Sequence, residues 1–137
     1  MASEPAAVLR EYLEGTFTRK DPSVIEATVA PDVVDHAGTP GQPQGIEGFR
    51  SFAALVLGAF PDLDLVIEDC FGAGDRAVAR WTATATHAGD LLGIRPTRRQ
   101  VTMSGIDIAR VADGRIVELW AQVDFAGVMA QLGADPG

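Results

Sequence analysis

Apolar residues in the first half of the chain recur at the spacing of an α-helix. The first series predicts an amphipathic helix whose apolar positions are Val8, Leu9, Tyr12, Leu13 and Phe17. Asp21 and Pro22 are typical of an N-cap and a first helical position, so a short second helix should follow and end at Pro31. A third series predicts a helix that stops at Pro61, with apolar positions Phe49, Phe52, Ala53, Val56, Leu57 and Phe60. Between the last two helices lie an extended segment, residues 33–37, and a loop from Gly38 to Gly45 that is rich in glycine and proline.

The second half alternates apolar and polar residues, which is the pattern of half-buried strands. Residues 63–71 and 76–87 flank a turn of Gly, Ala, Gly and Asp, and residues 100–111 and 115–124 flank Asp113–Gly114, a strong hairpin signal. Helices followed by an antiparallel meander predict an α+β domain in which helices cover one face of a curved sheet. No repeat, low-complexity tract or linker divides the sequence, so residues 1–137 are predicted to form a single domain.

The Asp113–Gly114 turn allows a strand register to be predicted. With these two residues at the centre of the turn, Asp107 lies opposite Trp120 and Met103 lies opposite Asp124. Alternation then places one mixed set on a single face: Met103, Gly105, Asp107, Ala109, Glu118, Trp120, Gln122 and Asp124. Large apolar residues beside small ones, with a few polar groups, are typical of a ligand pocket, although a solvated face remains the alternative. A slip of one residue would move one strand's set to the opposite face.

The other face of this hairpin is apolar and must be covered by helices or by a second subunit. Its predicted members are Ile106, Ile108, Val117, Leu119, Ala121 and Val123.

The charge and the cysteine count narrow the range of partners and compartments. The formal net charge is −8, whereas nucleic acids and anionic membranes attract basic surfaces, so neither is expected as the main partner. The single cysteine, Cys70, cannot form an internal disulfide, and the acidic N-terminal stretch has no features of a signal peptide. No apolar run approaches the roughly 20 residues of a membrane-spanning helix. We therefore expect a cytoplasmic protein.

A series of short motifs, in this order and spacing, resembles the SnoaL-like polyketide cyclases of the NTF2-like superfamily, which also contains ketosteroid isomerase and limonene-epoxide hydrolase. The motifs extend over essentially the whole chain and are Val34-Asp35-His36, Gly45 to Gly48, Ala59 to Asp62, Thr86 to Gly89, Gly93 to Thr97, Gly105-Ile106, Asp113 to Trp120, Asp124 and Gln131 to Gly133. The sequence departs from the family at Arg98, where a glycine is common. The resemblance implies an NTF2-like cone, with N-terminal helices packed on a curved, mostly antiparallel sheet that encloses a pocket. It also implies a homodimer formed through the sheet.

The resemblance also implies a reaction, because characterised SnoaL-like cyclases close a polyketide ring by intramolecular aldol condensation without a metal or an organic cofactor. Asp124 matches their general acid/base, and Asp107 matches the protonated, hydrogen-bond-donating aspartate of ketosteroid isomerases. His36 lies where those isomerases carry their proton-abstracting base. We therefore expect catalytic roles for these three residues, no cofactor and no metal site. Each residue also has an ordinary structural alternative. Asp124 would be a capping or surface aspartate, Asp107 would pair with a histidine or arginine in the pocket wall, and His36 would be a structural histidine.

Five further residues are predicted to contact a small apolar or aromatic substrate. Trp120 would supply a flat wall, His87 would lie at the pocket mouth, and Tyr12 would point its hydroxyl inward, with Met103 and Gln122 beside them. Core packing is the alternative for Trp120 and Tyr12. Two other functions stay open: a hydroxylase-like or ketosteroid-isomerase-like enzyme, and a non-catalytic module that binds a small molecule or dimerises.

Overall fold

The order of helices and strands confirms the predicted α+β architecture. The computed structural model describes residues 4–38 and 41–133. Its helices are α1 (Pro5–Leu13), which continues as a π-helical turn over Glu14–Thr18, α2 (Ser23–Thr28), α3 (Ile46–Ala59) and α4 (Phe125–Gln131). Its strands are β1 (Val29–Asp35), β2 (Asp64–Ala73), β3 (Arg76–Thr86), β4 (Gln100–Ala112) and β5 (Arg115–Val123). Residues 39 and 40 of the predicted loop lie outside the described part of the chain.

Two element boundaries differ from the sequence prediction. The second helix ends at Thr28, and Pro31 lies inside β1 instead of stopping the helix. A proline is tolerated there because β1 is at the edge of the sheet, where not every backbone N–H is needed for pairing. The short helix α4, which follows the last strand, was not predicted.

The five strands form one open, mixed sheet in the order β1-β5-β4-β3-β2. β1 runs parallel to β5, and the remaining neighbours are antiparallel. The inner face of β3 is built mainly from small residues, with buried Ala77, Ala79, Ala83 and Ala85 around Trp81. Because these alanines fill little space, the helices that cover this face leave an internal hollow.

The predicted hairpin register is correct at the turn and wrong beyond it. Asp113 and Gly114 both have positive φ angles, 52° and 76°, as a two-residue hairpin turn requires. Ala112 pairs with Arg115 as predicted, but a β-bulge then shifts the register, so that Arg110 pairs with Glu118 and Asp107 pairs with Ala121. The extra residue is Val117 of β5.

The bulge exchanges the two faces of β5 relative to the prediction. Leu119, Ala121 and Val123 point inward together with Met103, Asp107 and Ala109, whereas Glu118, Trp120 and Gln122 share the outer face with Ile106 and Ile108. The set predicted for the pocket is therefore correct for β4 and wrong for β5.

Candidate active site

An internal cavity of about 560 Å³ lies between the inner face of the sheet and the helices. Its walls are mainly apolar, and the aromatic rings of Tyr12, Phe17, Phe49 and Phe52 form edge-to-face contacts with centroids 5.6 to 6.2 Å apart. This size and lining are those of a site for a small organic molecule. Among the described residues few polar ones border the cavity, and these are Tyr12, Asp35, His36, Trp81, Asp107 and Gln122.

Asp107 is the buried carboxyl group of this cavity. It points inward from β4, and only 5% of the residue is exposed. Its Oδ1 accepts a hydrogen bond from Trp81 Nε1 at 3.0 Å. Burial raises the pKa of Asp107 from 3.8 to about 6, the Trp81 hydrogen bond opposes that rise, and the charge of Asp35 adds to it. This carboxyl group can therefore exchange protons near neutral pH.

Tyr12 and Asp35 bring a phenol and a second carboxyl group to the same cavity. Burial raises the pKa of Tyr12 well above its usual value, and the charges of Asp107 and Asp35 raise it further. Its hydroxyl group therefore stays protonated and able to donate. Both oxygens of Asp35 are already engaged, with Oδ1 accepting from Ala37 N at 2.9 Å and Oδ2 accepting from Gln42 Nε2 at 3.1 Å.

His36 borders the cavity, but its ring is turned toward the outside of the sheet. Its Nε2 lies 2.7 Å from Glu118 Oε2, and its ring stacks on Trp120 with a centroid distance of 4.9 Å and an angle of 9°. Arg110 Nε also donates to Glu118, at 2.9 Å. The hydrogen bonds from His36 and Arg110 lower the pKa of Glu118. His36 therefore belongs mainly to an outer cluster in which Glu118 is hydrogen-bonded to both His36 and Arg110.

Asp124 does not lie in the cavity, so its predicted place in an apolar wall is wrong. It is an exposed residue that follows the end of β5 and caps α4, with Oδ1 accepting a hydrogen bond from Gly127 N at 2.9 Å. Asp124 is thus the capping aspartate that the sequence analysis gave as the alternative to a catalytic residue. The backbone turns at this residue to begin α4, which directs the carboxyl group to the helix N-terminus.

Trp120 and His87 are likewise absent from the cavity wall. Trp120 faces outward because of the bulge, and the Arg76 guanidinium lies 5.0 Å from its ring centroid. His87 is completely buried behind the wall, where its Nδ1 lies 3.0 Å from Thr97 Oγ1 and accepts from Thr97 N at 3.2 Å. Since Nδ1 accepts that N–H, the ring proton belongs on Nε2, which has no partner among the described residues. His87 holds the loop that follows β3.

That loop also contains Arg98, the position at which the family resemblance leads us to expect a glycine. Arg98 has a φ of 63°, in the left-handed region that glycine adopts without strain. Hydrogen bonds from Arg98 N to His87 O and from His87 N to Arg99 O, both 2.9 Å, hold the backbone at this position.

The remaining predicted contacts lie at the cavity. Met103 and Tyr12 are buried and line it, and Gln122 borders it with an exposed side chain. The structure thus brings together Asp107, Tyr12 and Met103, with His36 and Gln122 at the edge, and separates Asp124, Trp120 and His87 from them.

Sequence reasoning missed Asp35 and Trp81 as cavity residues. Asp35 lies next to His36 within a motif that carried the resemblance, and Trp81 is the one large residue on the inner face of β3. The alternation of β3 could have identified Trp81, because every second residue from Ala77 to Ala85 is buried. Asp35 gave no separate signal, since its orientation depends on the pairing of β1 with β5.

Neither a metal-binding cluster nor a membrane-spanning helix occurs within the described residues. No group of three or more His, Cys, Asp or Glu residues in residues 4–38 and 41–133 is placed to hold a metal ion. No helix in this part of the chain is long and apolar enough to cross a membrane.

An open mixed sheet covered by N-terminal helices, with an apolar cavity and a buried carboxyl group between them, defines an NTF2-like α+β cone. The sequence model of a protein family described as SnoaL-like polyketide cyclase matches residues 6–132 of this chain. The chain belongs to this SnoaL-like polyketide cyclase family.

Solved structures agree with this family assignment. TsrD from Streptomyces laurentii is 30% identical over 94% of this chain and 97% of its own, with a TM-score of 0.84. IdmH from Streptomyces antibioticus, named as a candidate polyketide cyclase, is 32% identical over 96% of this chain and 100% of its own, with a TM-score of 0.82. AclR from Streptomyces galilaeus, named as a candidate hydroxylase, is 29% identical over 96% of this chain and 82% of its own, also with a TM-score of 0.82. No curated protein matches the sequence.

Proposed function

We propose that this protein is a cofactor-free cyclase that closes a ring of a polyketide-like molecule by intramolecular aldol condensation. The observation that carries the proposal is the Asp107 carboxyl group, which is buried in an apolar cavity and has a pKa of about 6. A group that gains and loses a proton near neutral pH is suited to acid–base catalysis. An activated methylene between two carbonyl groups is acidic enough to be deprotonated by such a carboxylate without a metal.

Asp107 is the group best placed to carry the proton in this reaction. Trp81 engages its Oδ1, which leaves Oδ2 available to a substrate in the cavity, whereas both oxygens of Asp35 are occupied. In the proposed step Asp107 removes the methylene proton and the resulting enolate carbon attacks a second carbonyl carbon. The new alkoxide then takes the proton back from Asp107. The product is an isomer of the substrate.

Tyr12 is the proposed donor to the enolate oxygen. Its hydroxyl group stays protonated in the cavity because burial raises its pKa, and a fixed donor stabilises negative charge strongly where water is excluded. Burial is the main cause of the raised pKa of Tyr12 and of Asp107, and the negative charge of Asp35 raises both further. Asp35 is therefore proposed to tune the site instead of reacting.

The proposal is tested by comparing Asp107→Asn with Asp124→Asn. An uncyclised anthracycline-type polyketide ester with an activated methylene is incubated with each variant, and the product is followed by chromatography and mass. Asp107→Asn is expected to lower kcat by about 10²- to 10⁴-fold, the usual contribution of a positioned acid/base. Asp124→Asn is expected to retain turnover, because asparagine also caps a helix. Full turnover by a folded Asp107→Asn variant contradicts the proposal.

The pH profile gives an independent test of the same assignment. Because the base must be ionised and the pKa of about 6 is that of the substrate-free protein, kcat/KM should rise with pH through this value and level off above it.

Isomerisation of an unsaturated ketone is the second candidate function. It is favoured by the presence of two carboxyl groups and a phenol in one cavity, since carboxyls and a tyrosine can move a proton and hold an enolate oxygen. Cyclisation and isomerisation conserve mass and differ in retention time and spectrum. A product heavier by one oxygen atom indicates the hydroxylase-like alternative instead.

We also propose that the protein is a cytoplasmic homodimer that associates through the outer face of the sheet. Neighbouring strands place Phe71, Val78, Ile108 and Trp120 in one row across that face. Phe71 is 59% exposed and Ile108 is 36% exposed. The same face carries Arg76, Arg110 and Glu118, so both signs of charge are available to a self-complementary contact.

Sedimentation at micromolar concentration tests the dimer. The parent chain is expected to sediment as a dimer, and Ile108→Arg as a monomer with unchanged secondary structure. A monomeric parent chain contradicts the proposal.

A further inference from the structure

Trp81 and Gly105 face each other on neighbouring strands beside Asp107. Gly105 of β4 pairs with Trp81 of β3, and Asp107 pairs with Ala79. The indole is therefore diagonal to the carboxyl group on the same inner face, within reach of a large side chain. The bond from Trp81 Nε1 to Asp107 Oδ1, 3.0 Å long, is the one hydrogen bond that the Asp107 side chain forms within the described residues.

The position of the indole depends on the missing side chain of Gly105. A β-carbon at Gly105 would lie 2.4 Å from Cζ2 and 2.8 Å from Cε2 of Trp81, closer than carbon atoms can approach. Gly105 is not among the residues with a positive φ angle, so its backbone conformation does not require glycine. A glycine inside a strand often marks such a close approach, and here the group that approaches is the indole.

We propose that Trp81 and Gly105 are positioning residues, which hold one oxygen of Asp107 and leave its other oxygen directed to the substrate. Because Gly105 has no side chain, the Trp81 indole can lie against β4 at this position. The indole N–H then holds the Asp107 carboxyl group by its hydrogen bond. This inference rests on the proposed function and deepens it by adding two residues that act through Asp107.

The same arrangement affects the charge of Asp107. Burial favours the neutral acid, whereas the indole N–H favours the carboxylate, so Trp81 limits the rise of the Asp107 pKa. Asp35 of β1 acts in the opposite direction, and Tyr12 of α1 is the other titratable group coupled to this carboxyl. His36 lies at the edge of the same cavity, where it is paired with Glu118.

The test is an NMR titration that needs no substrate. In protein labelled with ¹³C at aspartate carboxyl groups, the signal lost in Asp107→Asn identifies Asp107, and its midpoint in the parent chain should lie near the pKa of about 6. Trp81→Phe removes the donor and keeps an aromatic ring, so the midpoint should rise by about one pH unit. Gly105→Ala displaces the indole and should shift the midpoint in the same direction.

Trp120→Phe is the matched control, because the chain has two tryptophans and Trp120 lies on the outer face. It should leave the Asp107 midpoint unchanged, and it assigns the two indole N–H signals. In the parent chain the Trp81 indole signal should titrate with the same midpoint as the Asp107 carboxyl.

Three outcomes overturn the inference: an unchanged midpoint in Trp81→Phe, an equal shift in Trp120→Phe, or a Trp81 indole signal that does not follow Asp107. The last measurement uses the parent chain, so it decides the question even if a variant does not fold. Because no turnover is measured, this result is separate from the fate of the cyclase proposal, which depends on the Asp107→Asn assay.

Discussion

Asp107 and Glu118 are carboxyl groups on neighbouring strands of one hairpin, and the two faces of the sheet give them opposite properties. Asp107 points into the cavity, where burial raises its pKa to about 6. Glu118 points outward, where hydrogen bonds from His36 and Arg110 lower its pKa. The difference arises from the surroundings of each group, since the unperturbed pKa values of Asp and Glu are similar. A carboxyl group on this sheet becomes useful for proton exchange when it loses water and gains few partners.

The largest effect expected from this comparison is on turnover. Tyr12→Phe removes the cavity hydroxyl proposed to stabilise the enolate and should lower kcat by about 10²-fold with a small change in KM. Trp120→Phe, which changes an aromatic residue on the outer face, should leave kcat within about threefold of the parent. Steady-state kinetics with the polyketide ester distinguish these results. Equal losses of kcat in Tyr12→Phe and Trp120→Phe would mean that catalysis does not depend on the cavity more than on the outer face.

The next effect is on stability and separates the two carboxyl groups directly. Because the folded-state pKa of Asp107 is raised from 3.8 to about 6, the folded chain binds more protons than the unfolded chain within that window. The free energy of unfolding therefore falls as the pH rises through the window. Asp107→Asn cannot ionise, so near neutral pH it should be more stable than the parent by up to about 3 kcal/mol, with this gain vanishing below about pH 4.

Denaturant unfolding at several pH values measures this gain, and Glu118→Gln is the outer-face control. The pKa of Glu118 is lowered in the folded state, so ionised Glu118 stabilises the fold above its unfolded pKa and Glu118→Gln should give no gain near neutral pH. If Glu118→Gln is more stable than the parent near neutral pH, or Asp107→Asn is less stable, the opposite effects assigned to these two carboxyl groups are wrong.

The smallest expected effect is a change in stability at Asp124, which lies beyond the end of β5 and so on neither face of the sheet. Asp124→Ala removes the cap of α4 and should lower the free energy of unfolding by about 1 kcal/mol, whereas Asp124→Asn should retain most of it. Thermal unfolding measures both variants. A large loss of turnover in Asp124→Asn without a loss of stability would restore the catalytic hypothesis for this residue.

The comparison also explains how much of the site could be predicted. Asp107 and Met103 were assigned correctly to the inner face of the sheet, and Tyr12 to the buried face of α1, because strand and helix periodicity are local properties of the sequence. Trp120 was assigned to the wrong face because one bulged residue, Val117, reverses the alternation of everything after it in β5. Nothing in the local pattern distinguishes a bulged strand from a regular one.

The sequence by itself determined the presence of the first three helices, the hairpin turn and the family, since these depend on short-range spacing and on motifs in a fixed order. Tertiary structure alone decided which carboxyl group is buried, because the bulge and the approach of Trp81 to Gly105 arise from the pairing of one strand with another. Proton exchange depends on that burial. Desolvation is a property of the packed molecule, and no single segment of the chain carries it.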